Sequence, residues 1–272
     1  MNKNWPDNLT FIGGGNMARS LIGGLISSGF DADRIHVADP YEAARDALAN
    51  DFGVHVYESS SDAAEHGDTW ILAVKPQVVD EVCADLQSAA VKKPLVISIL
   101  AGTPIHRIAQ ALNVDTAIVR CMPNTPALVS KGATGLFAND ASSEAQRAQA
   151  VALLSAVGIA EWVDREALID SVTAVSGSGP AYVFLLAEAM MDAGVAQGLP
   201  EDVARNLTIQ TLVGASEMLA SSEQDAATLR KNVTSPNGTT QAAIESFEAS
   251  GFRGIVKKAL DAARDRGVEL SK

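Results

Sequence analysis

Residues 9–18 read Leu9-Thr10-Phe11-Ile12-Gly13-Gly14-Gly15-Asn16-Met17-Ala18, and this stretch decides the fold. A short, largely apolar run enters three glycines. Behind them, residues 16–28 place Met17, Leu21, Ile22, Leu25 and Ile26 at helical spacing. A buried strand that turns on glycine into a helix is the opening of a dinucleotide-binding unit. In the pattern G-x-G-x-x-A, Gly13 permits the tight turn and Gly15 lets backbone amides approach a pyrophosphate. Ala18 is small enough for helix and strand to pack closely. The helix N-terminus adds partial positive charge, so Gly13, Gly15, Asn16 and Met17 are candidate dinucleotide ligands. A glycine turn can also do no more than join a strand to a helix, and the surrounding pattern has to decide.

That pattern continues as residues 35–38, a second apolar strand closed by Asp39 and Pro40, and residues 41–50, helical in spacing. Residues 69–74 and 95–100 read as buried strands, ending at Lys75-Pro76 and Ala101-Gly102. Residues 78–89 and 105–112 read as helices, and residues 116–121 as a further strand. Strands alternating with helices at this spacing predict an α/β fold with a doubly wound, mostly parallel, Rossmann-like sheet. After Val163 the pattern changes: residues 168–198, 200–221, 225–232, 239–250 and 253–269 are helical, and no strand signal returns. The chain therefore reads as a dinucleotide-binding domain over residues 1–164 and an all-helical domain over residues 165–272.

In open α/β sheets ligands lie beyond the carboxyl ends of the strands. Ala73, Val74, Lys75, Pro76, Ala101 and Gly102 belong to that rim, and Lys75 would offer a cation beside an anion site. Asp39, ending the second strand, has two readings of equal weight. It accepts the adenosine ribose hydroxyls, favouring NAD(H) over NADP(H), or it caps the helix that follows. Arg45 is the nearest cation that could meet a 2′-phosphate.

The bulk properties narrow the class. With 272 residues, 47% of them hydrophobic and 20% charged, the chain can bury a large core, and its 5% aromatic content suits aliphatic strands under close helices. A net charge of −12 without any Lys/Arg run excludes a nucleic-acid binder. Cys83 and Cys121 lack CxxC spacing and read as free thiols in a reducing compartment. His36, His55, His66 and His106 are scattered without metal-ligand spacing, so no metal site is expected. Residues 1–9 carry no apolar signal segment, and the most apolar stretch, 181–195, is interrupted by Glu188 and Asp192. A cytoplasmic protein that does not span a membrane is expected.

Two runs stand out in the helical half. Residues 176–182, Ser-Gly-Ser-Gly-Pro-Ala-Tyr, predict a kink between helical stretches. Residues 232–240, Asn-Val-Thr-Ser-Pro-Asn-Gly-Thr-Thr, form a polar turn ahead of a helix. Amides and hydroxyls at such a start can receive a carboxylate, or the turn is simply a capped one.

Taken together, FIGGGNMA (11–18), ILAVKPQ (71–77), RCMPNTPALV (120–129), AVSGSGPAYVF (174–184) and VTSPNGTTQAAIESFEASGFR (233–253) resemble the pyrroline-5-carboxylate reductase family over almost the whole chain. The resemblance implies reduction of the cyclic imine 1-pyrroline-5-carboxylate to L-proline by NADPH or NADH, the last step of proline biosynthesis. It implies a helical dimerisation domain, a homodimer and assembly up to a decamer. Motif by motif, Gly13, Gly15, Asn16 and Met17 would hold the pyrophosphate, and Ala73, Val74, Lys75, Pro76, Ala101 and Gly102 would border the nicotinamide ribose. Ser60 stands where some relatives place an Asn against the adenosine, and Asn232 would contact the cofactor near the substrate. Ser235, Gly238, Thr239 and Thr240 would hold the substrate carboxylate, with Thr240 near the ring nitrogen and Glu166 beside the substrate amine as the second catalytic group.

Two departures matter most. The family run SPGGTT has Asn237 at its first glycine, and Asn is the non-glycine residue that best tolerates positive φ. Asp39 replaces the small polar residue suited to a 2′-phosphate. Competing readings are a different NAD(P)-dependent imine or hydroxyacid reductase and a non-catalytic dinucleotide-binding oligomer. A β-hydroxyacid dehydrogenase would need a lysine on the interdomain helix, and residues 181–199 contain none. The intact run from Asn232 to Thr240 weighs against a decayed site.

Overall fold

The computed structural model describes residues 4–271. It contains one eight-stranded sheet in the order β3-β2-β1-β4-β5-β6-β7-β8. The strands are β1 (Leu9–Ile12), β2 (Ile35–Ala38), β3 (His55–Tyr57), β4 (Thr69–Leu72), β5 (Leu95–Ser98), β6 (Ile118–Met122), β7 (Gly132–Ala138) and β8 (Gly158–Trp162). All neighbouring pairs are parallel except β6 and β7. The doubly wound, mostly parallel sheet expected from the alternation is present, and its order reverses between β1 and β4.

The strands are apolar on both sides because both sides are covered. Period-two alternation sorts their side chains. Leu9, Phe11, Ile35, Val37, Ile71 and Ile97 pack with Leu21, Ile22 and Leu25 of helix α1 (Asn16–Ser27). Ile12, Trp70, Leu72, Val96 and Ile118 point the other way, onto Val79, Cys83 and Leu86 of α4 (Val79–Ala90) and Ile108 and Leu112 of α5 (Ile105–Leu112). The remaining helices on this sheet are α2 (Glu42–Phe52), α3 (Ser60–Ala64), α6 (Glu144–Leu154) and α7 (Leu168–Val172). Cys83 and Cys121 are free and buried, and burial pushes the Cys83 thiol up to about 12.

Several elements lay outside the sequence pattern. β3 has three residues, one exposed and two half-buried, and β7 opens on the small residues Gly132 to Gly135, so neither offers a clean alternation. The histidines are another surprise. His36 stacks on His55 and on His66, with ring centroids 5.1 and 4.8 Å apart, and its Nδ1 lies 3.0 Å from the Tyr57 hydroxyl. Burial and the two neighbouring rings hold the His36 pKa down to about 4. The rings stack instead of converging, and among the described residues no group of His, Cys, Asp and Glu could hold a metal ion.

The chain divides into two compact units: residues up to 178 together with those from 262 on, and residues 179–261. The first unit reaches to 178 because α7 and a π-helical turn (Thr173–Gly177) lie against β6 and β7. This turn is the kink expected from the Gly-Pro run. Pro180 has no N–H to give to the Ser176 carbonyl, which instead accepts a bond from Asn124 Nδ2 at 3.0 Å.

The second unit consists of α8 (Gly179–Ala196), α9 (Glu201–Ser221), α10 (Ala226–Asn232), α11 (Thr239–Ala249) and the first half of α12 (Phe252–Leu270). It has almost no core of its own. α8 and α9 pack together, yet α8 buries no residue, and Phe184 and Leu185 are 68% and 65% exposed. Exposed apolar surface on this scale marks an interaction face. Among the described residues no helix is long and apolar enough to cross a membrane.

Candidate active site

The glycine turn lies in the first unit and carries its candidate dinucleotide site. Gly13 has φ +103, where only glycine sits without strain, and its N–H donates to the Ala38 carbonyl at 2.8 Å. A Cβ there would meet the Ala73 carbonyl oxygen at 2.7 Å, so the turn is pressed against the end of β4. Gly15 is the N-cap of α1 and receives no side-chain cap. Gly15 and Asn16 are exposed, Met17 is half-buried, and a Cβ on Gly15 would find nothing within 4 Å. Free first-turn amides facing open space form an anion receptor, which is the shape and chemistry a dinucleotide pyrophosphate requires.

The N-cap of α2 is Tyr41, so Asp39 braces the chain ahead of this helix without capping it. Its carboxylate accepts from the Gly14 N–H and the Tyr41 N–H, both at 2.9 Å, so it locks the glycine turn to the end of β2. Each oxygen keeps a further lone pair, which leaves capacity for a ribose hydroxyl. Arg45 is turned the other way from a phosphate role. Its Nη1 donates to the carbonyls of Asp39 and Pro40 at 2.8 and 3.0 Å, and its Nη2 lies 3.9 Å from Glu58. Ser60 opens α3 and is half-buried.

Along the rim, the amide of Ala73 still bonds to Ile12 O and that of Ile99 to Leu72 O, after which both chains leave the sheet. Val74 and Pro76 are half-buried and Lys75 is exposed. Ala101 is exposed, whereas Gly102, with φ +65, is buried: a Cβ there would come within 2.9 Å of Leu270 Cβ. Glu166 is held by its own neighbours. One carboxylate oxygen accepts from the Ile105 N–H at 2.7 Å, capping α5, and lies 3.2 Å from Arg120 Nη1. Arg120 is 3% exposed and also faces Asp170 at 3.4 Å. This buried Arg120–Glu166–Asp170 cluster was not signalled by the sequence, apart from one arginine in an otherwise apolar strand.

The other residues read as site residues, from Asn232 to Thr240, lie in the helical unit and are described within it. Asn232 closes α10, and its Nδ2 donates to Gln224 Oε1 at 2.9 Å. Asn237 adopts φ +57, the left-handed conformation anticipated for it, and its N–H donates to Gln241 Oε1 at 2.8 Å. Gly238 presses on Ser235, whose Oγ would sit 2.5 Å from a Cβ, and it caps α11 without a side-chain bond. Thr239 and Thr240 then begin the helix, Thr239 exposed and Thr240 half-buried. The first-turn amides of an eleven-residue helix are again presented without a cap. Gln224 and Gln241 fix this turn from both sides, and no sequence pattern marks them.

Comparisons with known proteins fall on this framework. The curated pyrroline-5-carboxylate reductase of Pseudomonas aeruginosa is 52% identical over 97% of this chain and 96% of its own length. The chain belongs to the pyrroline-5-carboxylate reductase family. The Escherichia coli member is 38% identical over 96% of this chain. A solved family member from Coxiella burnetii superposes with a TM-score of 0.94 at 43% identity, covering 98% of this chain and 99% of that one. A Plasmodium falciparum pyrroline carboxylate reductase, solved with NADP bound, gives 0.86 at 29% identity, covering 97% and 98%. Residues 166–270 match the family model for pyrroline-5-carboxylate reductase dimerisation, and residues 8–102 match that for coenzyme F420-dependent NADP oxidoreductases. The dimerisation match over residues 166–270 includes α8, whose apolar surface is exposed in this chain.

Proposed function

We propose that the protein reduces 1-pyrroline-5-carboxylate to L-proline at the expense of NAD(P)H. The observation that carries this is the pair of uncapped helix starts, one behind Gly15 and one behind Gly238, within a chain that shares half its residues with a reductase of that name. Functionally we divide the chain at residue 164, since the dimerisation match begins at 166. The assembly proposed is a homodimer through the helical domain, extending to a decamer, in the cytoplasm, with no nucleic-acid partner given the net charge of −12.

A reduced nicotinamide, when bound, supplies the hydride that the imine carbon accepts. The turn residues Gly13, Gly15, Asn16 and Met17 would hold its pyrophosphate, with Ala73, Val74, Lys75, Pro76 and Ala101 along the rim, Gly102 shaping it, Ser60 and Asp39 toward the adenosine, and Asn232 near the substrate. Ser235, Gly238, Thr239 and Thr240 would receive the substrate carboxylate through amides and hydroxyls. The ring nitrogen ends with a proton, so the protein has to favour its cationic form. Thr240 would orient that nitrogen and Glu166 would supply the negative charge beside it. Orientation alone lowers such barriers by roughly 7–11 kcal/mol in well-aligned cases, which is consistent with a site that contains no histidine.

Thr240→Ala is expected to lower kcat roughly a hundredfold, the scale for losing one positioned donor, while dinucleotide affinity stays within twofold. Steady-state rates with pyrroline-5-carboxylate and NADH or NADPH read this directly, and an unchanged kcat removes Thr240 from the mechanism. Cofactor choice has its own test. Asp39 and Glu58 surround the ribose corner with negative charge while Arg45 is tied to carbonyls, which favours NADH over a 2′-phosphorylated partner. Asp39→Ser is expected to shift the kcat/KM ratio about tenfold toward NADPH. If the ratio stays put, Asp39 serves the glycine turn alone.

A further inference from the structure

The rim turn at Ala101 and Gly102 is held in place by a segment far away in sequence. Residues 262–271, the second half of α12, belong to the same compact unit as the sheet. Their last turn covers Gly102: a Cβ on this glycine would meet Leu270 Cβ at 2.9 Å and the Leu270 backbone at 3.2 Å. One turn earlier, Gly267 is the only residue of α12 that is buried, because it lies against Asp170, whose Oδ1 would be 3.2 Å from a Cβ there. A glycine inside a helix costs roughly 1 kcal/mol relative to alanine, and here it is what allows the helix to come so close. Ser271 ties off the end by donating from Oγ to the Gly267 carbonyl at 3.0 Å.

The contacts close into a ring. Asp170 faces Arg120, Arg120 faces Glu166, and Glu166 accepts the Ile105 N–H at the far end of the same rim loop. The loop after β5 is therefore clamped at Ile105 by a carboxylate and at Gly102 by a helix end. Gly102 sits at φ +65, a conformation with no side chain to hold it, so the cover supplied by α12 defines its position.

We propose that Leu270 is a positioning residue for the dinucleotide site, acting through its Cβ and backbone on Gly102. The proposal rests on the reading of this rim as the dinucleotide site. It concerns shape at a distance: Leu270 itself need not touch the ligand.

The test is a titration of the full-length protein with NADH, and separately NADPH, followed by nucleotide fluorescence, alongside thermal melting. Leu270 is 55% exposed, so changing it leaves the core intact. Leu270→Gly, which removes the Cβ, is expected to weaken dinucleotide binding about fivefold. Leu270→Ala, which keeps the Cβ, is expected to bind within twofold of the unaltered protein. Equal affinities for all three proteins overturn the proposal, as does an alanine variant as weak as the glycine variant. If the unaltered protein binds neither nucleotide, the functional reading itself falls, an outcome the other two cannot mimic.

Discussion

Gly13→Ala is expected to lose dinucleotide binding by roughly a hundredfold, the scale set by displacements of an ångström or less in a positioned site. The added methyl would stand 2.7 Å from the Ala73 carbonyl oxygen, and the backbone at φ +103 has no relaxed conformation for alanine. Either the turn or the end of β4 has to move, and both line the same rim. Gly15→Ala separates ligand effects from folding effects. That Cβ meets no protein atom within 4 Å and the backbone at φ −68 suits alanine, so thermal stability should be unchanged. Its methyl projects into the space in front of α1, so affinity should still fall about tenfold or more. Nucleotide titration of both variants, with melting curves, checks the pair. A Gly15→Ala protein with normal affinity would falsify the placement of the pyrophosphate at this helix start.

Arg120→Ala is expected to be the most destabilising single change in the sheet. Its guanidinium is buried on β6 between Glu166 and Asp170, and its Nε has no partner among the described residues. Removing it leaves Asp170, itself buried, without a counter-charge, and breaking a buried pair from one side costs about 3–5 kcal/mol. For a chain of this size that corresponds to a melting temperature lower by about 10 °C. Arg120→Met, which keeps much of the volume but not the charge, should be no better, because the carboxylates are still stranded. A pairing partner removed together with the arginine, Arg120→Met with Asp170→Leu, should recover part of the loss. Melting curves that show the double variant below the single one would assign the deficit to packing instead of charge.

How much of this was legible beforehand follows from the physics of each element. The strands β1, β2, β4, β5 and β6 announce themselves because both faces are buried and their sequences are short, largely apolar runs, each with one polar residue. β7 does not, since Gly135 fits under Val172 and Gly132 against Ala127 and the Val157 carbonyl by being small, and smallness has no period. Motif-bearing turns were legible for a different reason: Gly13 and Asn237 adopt positive φ, and residue type reveals that directly. Contacts over long separations were not. Nothing in the sequence joins Arg120 to Asp170, Gly102 to Leu270, or His36 to His66, since each pairing exists only once the sheet has formed. Of the two readings of Asp39, the helix cap is not realised, since Tyr41 is the N-cap of α2 and the Asp39 carboxylate accepts from the Gly14 and Tyr41 amides instead.

The apolar helices of residues 179–261 carry a consequence for how this protein must be handled. Because α8 buries no residue within its own chain and lies inside the dimerisation match, the stability of this unit is expected to obey mass action. Dilution should lower the melting temperature, concentration should raise it, and a melting temperature quoted without the protomer concentration would describe no definite state.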